Sequence, residues 1–182
     1  MTEQPLFILG KKISLRALSE ADASGPYLEW FNDAKVCAGN SHHVFPYTQI
    51  QASYYIQQVT EMPKNLVLAI EENSSKKHIG NVSLQAIHNI HLSAEFSIIL
   101  GDKNCWGKGY GNEVATLILT HGFNELNLQR IYCGTPEYNT GMIKLAKKLG
   151  MTEEGKRRKA FFKSGSYHDI LEFGILKDEF IK

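Results

Sequence analysis

The stretch Gly101-Asp102-Lys103-Asn104-Cys105-Trp106-Gly107-Lys108-Gly109-Tyr110-Gly111-Asn112-Glu113 constrains this chain more than any other. An apolar run over 94–100 precedes it, and Ala115, Ile118, Leu119, Gly122, Phe123 and Leu126 follow at helical spacing. A strand therefore passes through glycines into a helix over about 109–125. Glycine lets the backbone turn closely, and the unpaired N–H groups of a helix's first turn point forward with the positive dipole end behind them. That is an anion cradle, and three alternating glycines at a helix entrance favour phosphate over a turn that needs glycine only for its dihedrals. The two familiar nucleotide loops do not fit. A P-loop needs glycine, four residues and then Gly-Lys-Ser/Thr; Gly101 is one residue too far from Gly107-Lys108, and Gly109 follows the lysine. The dinucleotide fingerprint needs glycine where Asn112 stands, within a parallel βαβ unit.

The rest of the chain reads as a single α/β domain with no repeat or linker. The alternation at 13–18 predicts a first strand. Ser19, with Asp22 three residues on, starts a helix to about Phe31 that Pro26 makes irregular or splits. Thr48 caps a second helix to about Glu61. Strands follow at 66–71, 79–87, 94–100 and 130–135. Asn139 caps a helix with Met142, Leu145, Ala146 and Leu149 inward, stopped by Gly150. Strands at 152–162 and 167–176 turn at Ser164-Gly165-Ser166. The pattern implies seven strands and about four helices in a mostly antiparallel sheet.

Composition narrows function by exclusion. Twenty Lys+Arg against nineteen Asp+Glu give a net charge of +1, so bulk charge argues for neither nucleic acid nor an anionic membrane. Cys37, Cys105 and Cys133 are odd in number and far apart, which indicates neither a disulfide framework nor a zinc site. They suit a reducing compartment. Met1 to Pro5 lacks a basic stretch followed by an apolar one, and no apolar run reaches about 18 residues, so a cytoplasmic protein is expected.

Four features together resemble the GNAT superfamily of acyl-CoA-dependent N-acyltransferases, and within it the RimJ/RimL-like branch and the spermidine acetyltransferases. Ala94-Glu95-Phe96-Ser97-Ile98-Ile99-Leu100 is similar to the family's fourth strand. Trp106-Gly107-Lys108-Gly109-Tyr110-Gly111 matches its pyrophosphate loop. Asn139 through Lys148-Leu149-Gly150-Met151 matches its Asn-led helix, and Glu154-Gly155, Arg158, Gly165, Tyr167 and Asp169 match its closing hairpin. The resemblance spans nearly the whole chain. It implies a sheet splayed between the fourth and fifth strands (94–100 and 130–135), with the pantetheine arm of acetyl-CoA in the gap. Main-chain groups of Ile98, Ile99 and Leu100 would pair with that arm, as a strand edge pairs with a peptide. Trp106, Gly107, Lys108, Gly109, Tyr110, Gly111 and Asn112 would hold the diphosphate, Asn139 the other side of the arm, and Lys148 an adenosine phosphate. For Asn139 the plain alternative is an N-cap, and for Lys144, Lys147 and Lys148 a solvated helix face.

The resemblance also implies the chemistry: acetyl transfer to a primary amine by direct attack on the thioester, with no metal. Glu95 is the first candidate base and Asp169, beside Tyr167, the second; a solvent-facing strand glutamate and a hairpin hydrogen bond are the respective alternatives. One departure stands out. The tyrosine that many relatives place seven residues after the capping Asn is Ala146 here, and the serine that others place three residues after it is Met142; neither donates a proton. Tyr138 or a water is a substitute. On the acceptor side Trp30, Asn32, Asp33, Asn40, His42, His43, Phe45 and Tyr47 stand in the region that shapes the pocket in relatives, and Tyr167 joins them from the closing hairpin; core anchors are the alternative for Trp30 and Phe45, and exposed polar residues for His42 and His43. No carboxylate lies between Val36 and Tyr47, which weighs against a polyamine and toward a protein N-terminus or a small-molecule or amino-sugar amine. Readings left open are a CoA sensor without turnover, a polyamine acetyltransferase and an unrelated phosphate binder. Homodimers are common among relatives, but no interface stripe is legible here.

Overall fold

A computed structural model describes residues 4–61 and 65–180. Residues 1–3, within the stretch where no signal peptide is expected, lie outside the described part. The elements run β1 (Leu6–Leu9), β2 (Ile13–Ala17), a 3-10 turn (Glu20–Ser24), α1 (Pro26–Phe31), α2 (Gln49–Glu61), β3 (Leu66–Glu72), β4 (His78–His88) and β5 (Ser93–Leu100). A second 3-10 turn (Lys103–Cys105) leads to α3 (Tyr110–Asn124), β6 (Arg130–Pro136), α4 (Thr140–Lys148), β7 (Thr152–Lys163) and β8 (Ser166–Leu176). The eight strands form one sheet in the order β1-β2-β3-β4-β5-β6-β8-β7. Every neighbouring pair is antiparallel except β5 and β6. The strand beyond the expected seven is β1. Its Leu-Phe-Ile-Leu does not alternate, and as an edge strand it leaves Phe7 and Leu9 exposed.

Pro26 does divide the early helical stretch: the 3-10 turn ends at Gly25, and Pro26 opens α1 at a position that needs no N–H. Each face of the sheet has its own core. Leu68, Ile70, Val82, Leu84, Ala94, Phe96, Ile131 and Cys133 pack beneath α3 and α4. On the other face Val67, Ala69 and Ile99 meet α1 and α2 through Tyr27, Trp30, Phe31, Ala52 and Ile56. Burying that apolar surface on both sides is the main stabilisation available to such a sheet.

One charged cluster is sealed within this packing. Arg16 on β2 holds Asp22 with two nitrogens at 2.8 and 2.9 Å and reaches Glu71 on β3 at 3.2 Å. His78 Nδ1 lies 3.1 Å from the same Asp22. Burial alone would raise the Asp22 carboxyl, but the guanidinium and the imidazole overcome it and hold the group well below the usual carboxylate range. The cluster ties the Ser19–Asp22 capping box to the sheet, because Asp22 also accepts from the Ser19 N–H at 2.8 Å.

Candidate active site

The parallel ladder between β5 and β6 is short. It pairs Ser93 with Arg130, Ala94 with Ile131 and Glu95 with Tyr132, and no pair is formed beyond that point. The strands part toward the C-terminal end of β5 and leave a cavity of about 630 Å³. Its walls are β5, the α3 entrance, β6, α4 and the arch of chain at 35–40. Ile98, Ile99, Leu100, Trp106, Gly107, Gly109, Gly111, Asn112, Asn139 and Lys148 line this cleft, and so does Glu95. Lys108 and Tyr110 do not. Lys108 is exposed, its Nζ 6.0 Å from the Tyr110 ring centre. Tyr110 turns away to donate its hydroxyl to Glu72 at 2.7 Å, and that carboxylate pushes the phenol up to about 12.

The glycines divide their labour. Gly107 (φ 75°) and Gly109 (φ 83°) are left-handed, and a Cβ on either would meet nothing within 4 Å, so backbone conformation alone demands glycine there. Gly109 is the N-cap of α3 and offers no capping side chain, so the first N–H groups of the helix stay free to face the cleft. Gly111 is helical, and its missing Cβ would sit 3.7 Å from Leu100 and 4.0 Å from Leu145, between the two walls of the cleft. Trp106 donates its indole N–H to the Leu100 carbonyl at 2.8 Å and thereby fixes the loop to the end of β5. Among the described residues no group of three or more His, Cys, Asp or Glu could hold a metal ion.

The arch is held in place by three contacts from distant parts of the chain. Tyr138 donates its hydroxyl to the Ala38 carbonyl at 2.8 Å. Asn139 caps α4 by accepting from the Met142 N–H at 3.3 Å, while its Nδ2 packs on Gly39 so closely that a Cβ there would come within 2.4 Å. Lys163, near the tip of the β7–β8 hairpin, donates to the carbonyls of Asn40 and His42.

A second cavity, of about 310 Å³, lies between the sheet and the first two helices. It meets the first along residues 97–99 of β5 beneath Asn40, since Asn40, Ser97, Ile98 and Ile99 line both. Tyr27 and Phe31 of α1, His42 and Tyr47 before α2, Gln51 and Tyr55 within it, Val67 of β3, and Asn81, Ser83 and Gln85 of β4 complete it. No Asp, Glu, Lys or Arg lines it among the described residues. Burial raises the hydroxyls of Tyr27, Tyr47 and Tyr55, so all three remain proton donors near neutral pH. Burial, and secondarily Lys163, lowers His42 and favours its neutral ring.

Several residues expected at the site stand elsewhere. Trp30, 5% exposed, packs in the core against Gly101 and at 4.9 Å from the His78 ring, because a helix-borne indole facing the sheet gains more by burial than as an open wall. Asp33 pairs with Lys103 and accepts from the N–H groups of Lys35 and Val36, which brings its carboxyl down to about 2. Phe45, 80% exposed, lies on the outer lip of the loop and lines neither cavity of the site. Tyr167 is exposed on the hairpin and packs on Phe162 at 4.9 Å. Asp169 also lies outside both cavities. It accepts from the Lys159 N–H at 2.9 Å, which with Lys156 holds it low, and so serves the hairpin. Of the acceptor residues named from sequence Asn40, His42 and Tyr47 line the second cavity, and of the two carboxylates only Glu95 lines the cleft.

The model of the acetyltransferase (GNAT) domain matches residues 12–152. This chain belongs to the GNAT family. A spermidine N(1)-acetyltransferase of Vibrio cholerae is 34% identical over 112 residues, covering 62% of this chain and 64% of that enzyme. An uncharacterized N-acetyltransferase, p20, of Bacillus licheniformis is 27% identical over 176 residues, covering 93% and 96%. The crystal structure of the Vibrio cholerae spermidine N-acetyltransferase in complex with CoA and spermine is similar at a TM-score of 0.85 and 27% identity, covering 94% of this chain and 99% of that one. The matched stretch thus spans less than two thirds of the length of the first of these relatives. The splayed strands and glycine cradle of this GNAT chain are where the sequence resemblance implies them.

What sequence reading missed is the second cavity. Asn81, Ser83 and Gln85 alternate with the buried Val82 and Leu84 on β4. That polar row, lying inside a strand with apolar neighbours, was a legible sign of a wet pocket on that face. The tyrosines of α1 and α2 gave no such sign, because their spacing also suits plain core.

Proposed function

We propose that this GNAT chain transfers the acetyl group of acetyl-CoA to the primary amine of an acceptor whose body carries no net charge, bound in the second cavity. The observation that carries the reading is the meeting of the two cavities at residues 97–99 of β5. A thioester lying along the cleft and an amine entering from the other side would come together there. Holding both reactants in one geometry removes much of the entropic barrier to a bimolecular attack. The free N–H groups at the start of α3 would take the diphosphate. Asn139 and Lys148 would flank the arm and the adenosine end. A main-chain N–H near Ile98 would polarise the thioester carbonyl, and Glu95 would receive the amine's proton directly or through water.

The names of relatives favour a second reading, a polyamine acceptor. The lining of the second cavity weighs against it, since a chain of ammonium groups needs carboxylates, and this pocket offers hydroxyls and amides. A cytoplasmic location and a homodimer belong to this proposal as well; no helix among the described residues is long and apolar enough to cross a membrane. Release of free thiol from acetyl-CoA, followed across glucosamine, glycinamide, short peptides and spermidine, tests the reading. Turnover is expected with uncharged-bodied amines and little with spermidine. Failure of CoA to raise the melting temperature, together with no thiol release, would refute it.

A further inference from the structure

The wall of the cleft contains a buried hydroxyl that the fold leaves unused. Thr135 is 2% exposed, its Oγ1 is buried with no hydrogen-bond partner among the described residues, and the residue belongs to the wall of the cleft. A buried hydroxyl left in that state costs stability that an isosteric methyl would not. On β6 it follows Ile131 and Cys133 at alternate positions, so it faces the same side as those core residues, the side that α3 and α4 cover. Counting equal steps from the last parallel pair, Glu95 with Tyr132, places Thr135 across the gap from Ile98.

The groups at the family's positions and the other nearby candidates on α4 and β6 and between them do not offer such a donor to a departing sulfur. Ala146, at the family's tyrosine position, carries no donor and is 0% exposed in the core. Met142 lines the cleft but has only a thioether. The Tyr138 hydroxyl is engaged by Ala38 and lies outside the lining. Cys133 is shut in against Met151 at 3.8 Å between sulfurs, and burial pushes its thiol up to about 12.

We propose that Thr135 is a catalytic residue whose hydroxyl donates a hydrogen bond to the sulfur of the acyl donor as that sulfur leaves, a reading that rests on the acetyltransferase function above. The amine lone pair forms the C–N bond while the carbonyl π pair moves to oxygen. When the carbonyl reforms, the C–S bond breaks and its electron pair goes to sulfur. Thr135 keeps its proton and shares it with the sulfur through the hydrogen bond. The nitrogen loses its proton to water or Glu95, and the sulfur takes one from solvent on release. The sum is amine plus acetyl-CoA giving the acetamide plus the CoA thiol.

The test uses CoA itself and needs no identified acceptor. The ultraviolet absorbance of the bound thiolate is followed against pH in wild type, Thr135→Val and Thr135→Ser, with Thr135→Ala repeating the comparison should the valine variant not fold. Lys35 of the arch, Glu95 of β5, and Lys144 and Lys148 of α4 line the same cleft and remain in every protein, so their influence cancels in the difference. Removing one aimed donor costs a developing oxyanion a factor of about 100 or more; for a larger, more diffuse sulfur anion about tenfold is expected. Thiolate should therefore appear about one pH unit later in the valine variant than in wild type, with serine near wild type, CoA affinity within about twofold and the melting temperature equal or higher. With any amine that turns over, kcat should fall about tenfold in the valine variant while KM for acetyl-CoA holds. Coincident thiolate curves for wild type and valine overturn the proposal, as does a valine variant that has lost CoA affinity. Wild-type protein that does not bind CoA fails the acetyltransferase reading instead.

Discussion

Replacing Gly111 with alanine should move stability and cofactor affinity in opposite directions. Gly111 is the second residue of α3 with an ordinary helical backbone, so alanine there lowers the unfolded chain's entropy and is worth about 0.5–1 kcal/mol. For a chain of this size that is roughly 1–4 °C in melting temperature. The added methyl meets no obstacle in the protein, since its neighbours stand 3.7 Å away at Leu100 and 4.0 Å away at Leu145. Those two side chains are walls of the cleft, however, so under the proposed placement of the cofactor the methyl occupies space that the CoA arm needs. One extra methyl forced into a packed contact costs about 1–3 kcal/mol, which is roughly 5- to 150-fold in Kd. Thermal denaturation of the free protein and calorimetric titration with CoA separate the two effects. Gly109→Ala serves as the opposite case: with φ at 83° it should lower stability by about 1–2 kcal/mol before any ligand is added. A Gly111→Ala protein that is more stable and binds CoA as tightly as wild type would refute the placement of the cofactor in this cleft.

Two further outcomes follow from contacts outside the glycine loop. Asp22→Asn should lower stability at pH 7 by about 1.5–3 kcal/mol, because it leaves the buried Arg16 with Glu71 as its one carboxylate partner and replaces a charged acceptor by a neutral amide. The folded-state carboxyl is held below its unfolded value of about 3.9, so its contribution is present above that pH and is lost as pH falls. The gap between wild type and variant should therefore narrow in urea titrations below about pH 4, and a constant gap would refute the assignment. Lys163→Met should loosen the chain between Asn40 and His42, which both line the second cavity, by removing the donor to their carbonyls. KM for the amine should rise about fivefold while CoA affinity stays within about twofold, for roughly 1 kcal/mol of lost interaction; equal losses on both sides would contradict the division of the site into two cavities.

The elements that could be read from sequence are those whose signals are local. The strand–glycine–helix passage at 101–113 needs only neighbouring residues to define it, and the Asn139 cap with its Gly150 stop is likewise complete within one helix. The edge strand β1 escaped because a short apolar run without alternation carries no period. Trp30 stood between two readings for a different reason. An indole on a helix suits a ligand wall and a core equally, and only the position of Gly101, seventy-one residues later, places it in the core.

The chain's order of residues is enough to fix the glycine loop and the helix entrance, because positive φ at Gly107 and Gly109 and the free N–H groups of a helix's first turn are properties of consecutive residues. It also fixes what is absent, a proton donor at Ala146 and at Met142. Tertiary structure decided the rest. It set where β5 leaves β6, which side chains that gap exposes, and that the polar row of β4 faces three tyrosines, one on each of the first two helices and one from the loop between them. It brought Lys163 and Tyr138 onto an arch about a hundred residues earlier in the chain. It also left Thr135 buried without a partner at the cleft wall. Burial and pairing depend on what other segments place nearby, and no local pattern of residues encodes that.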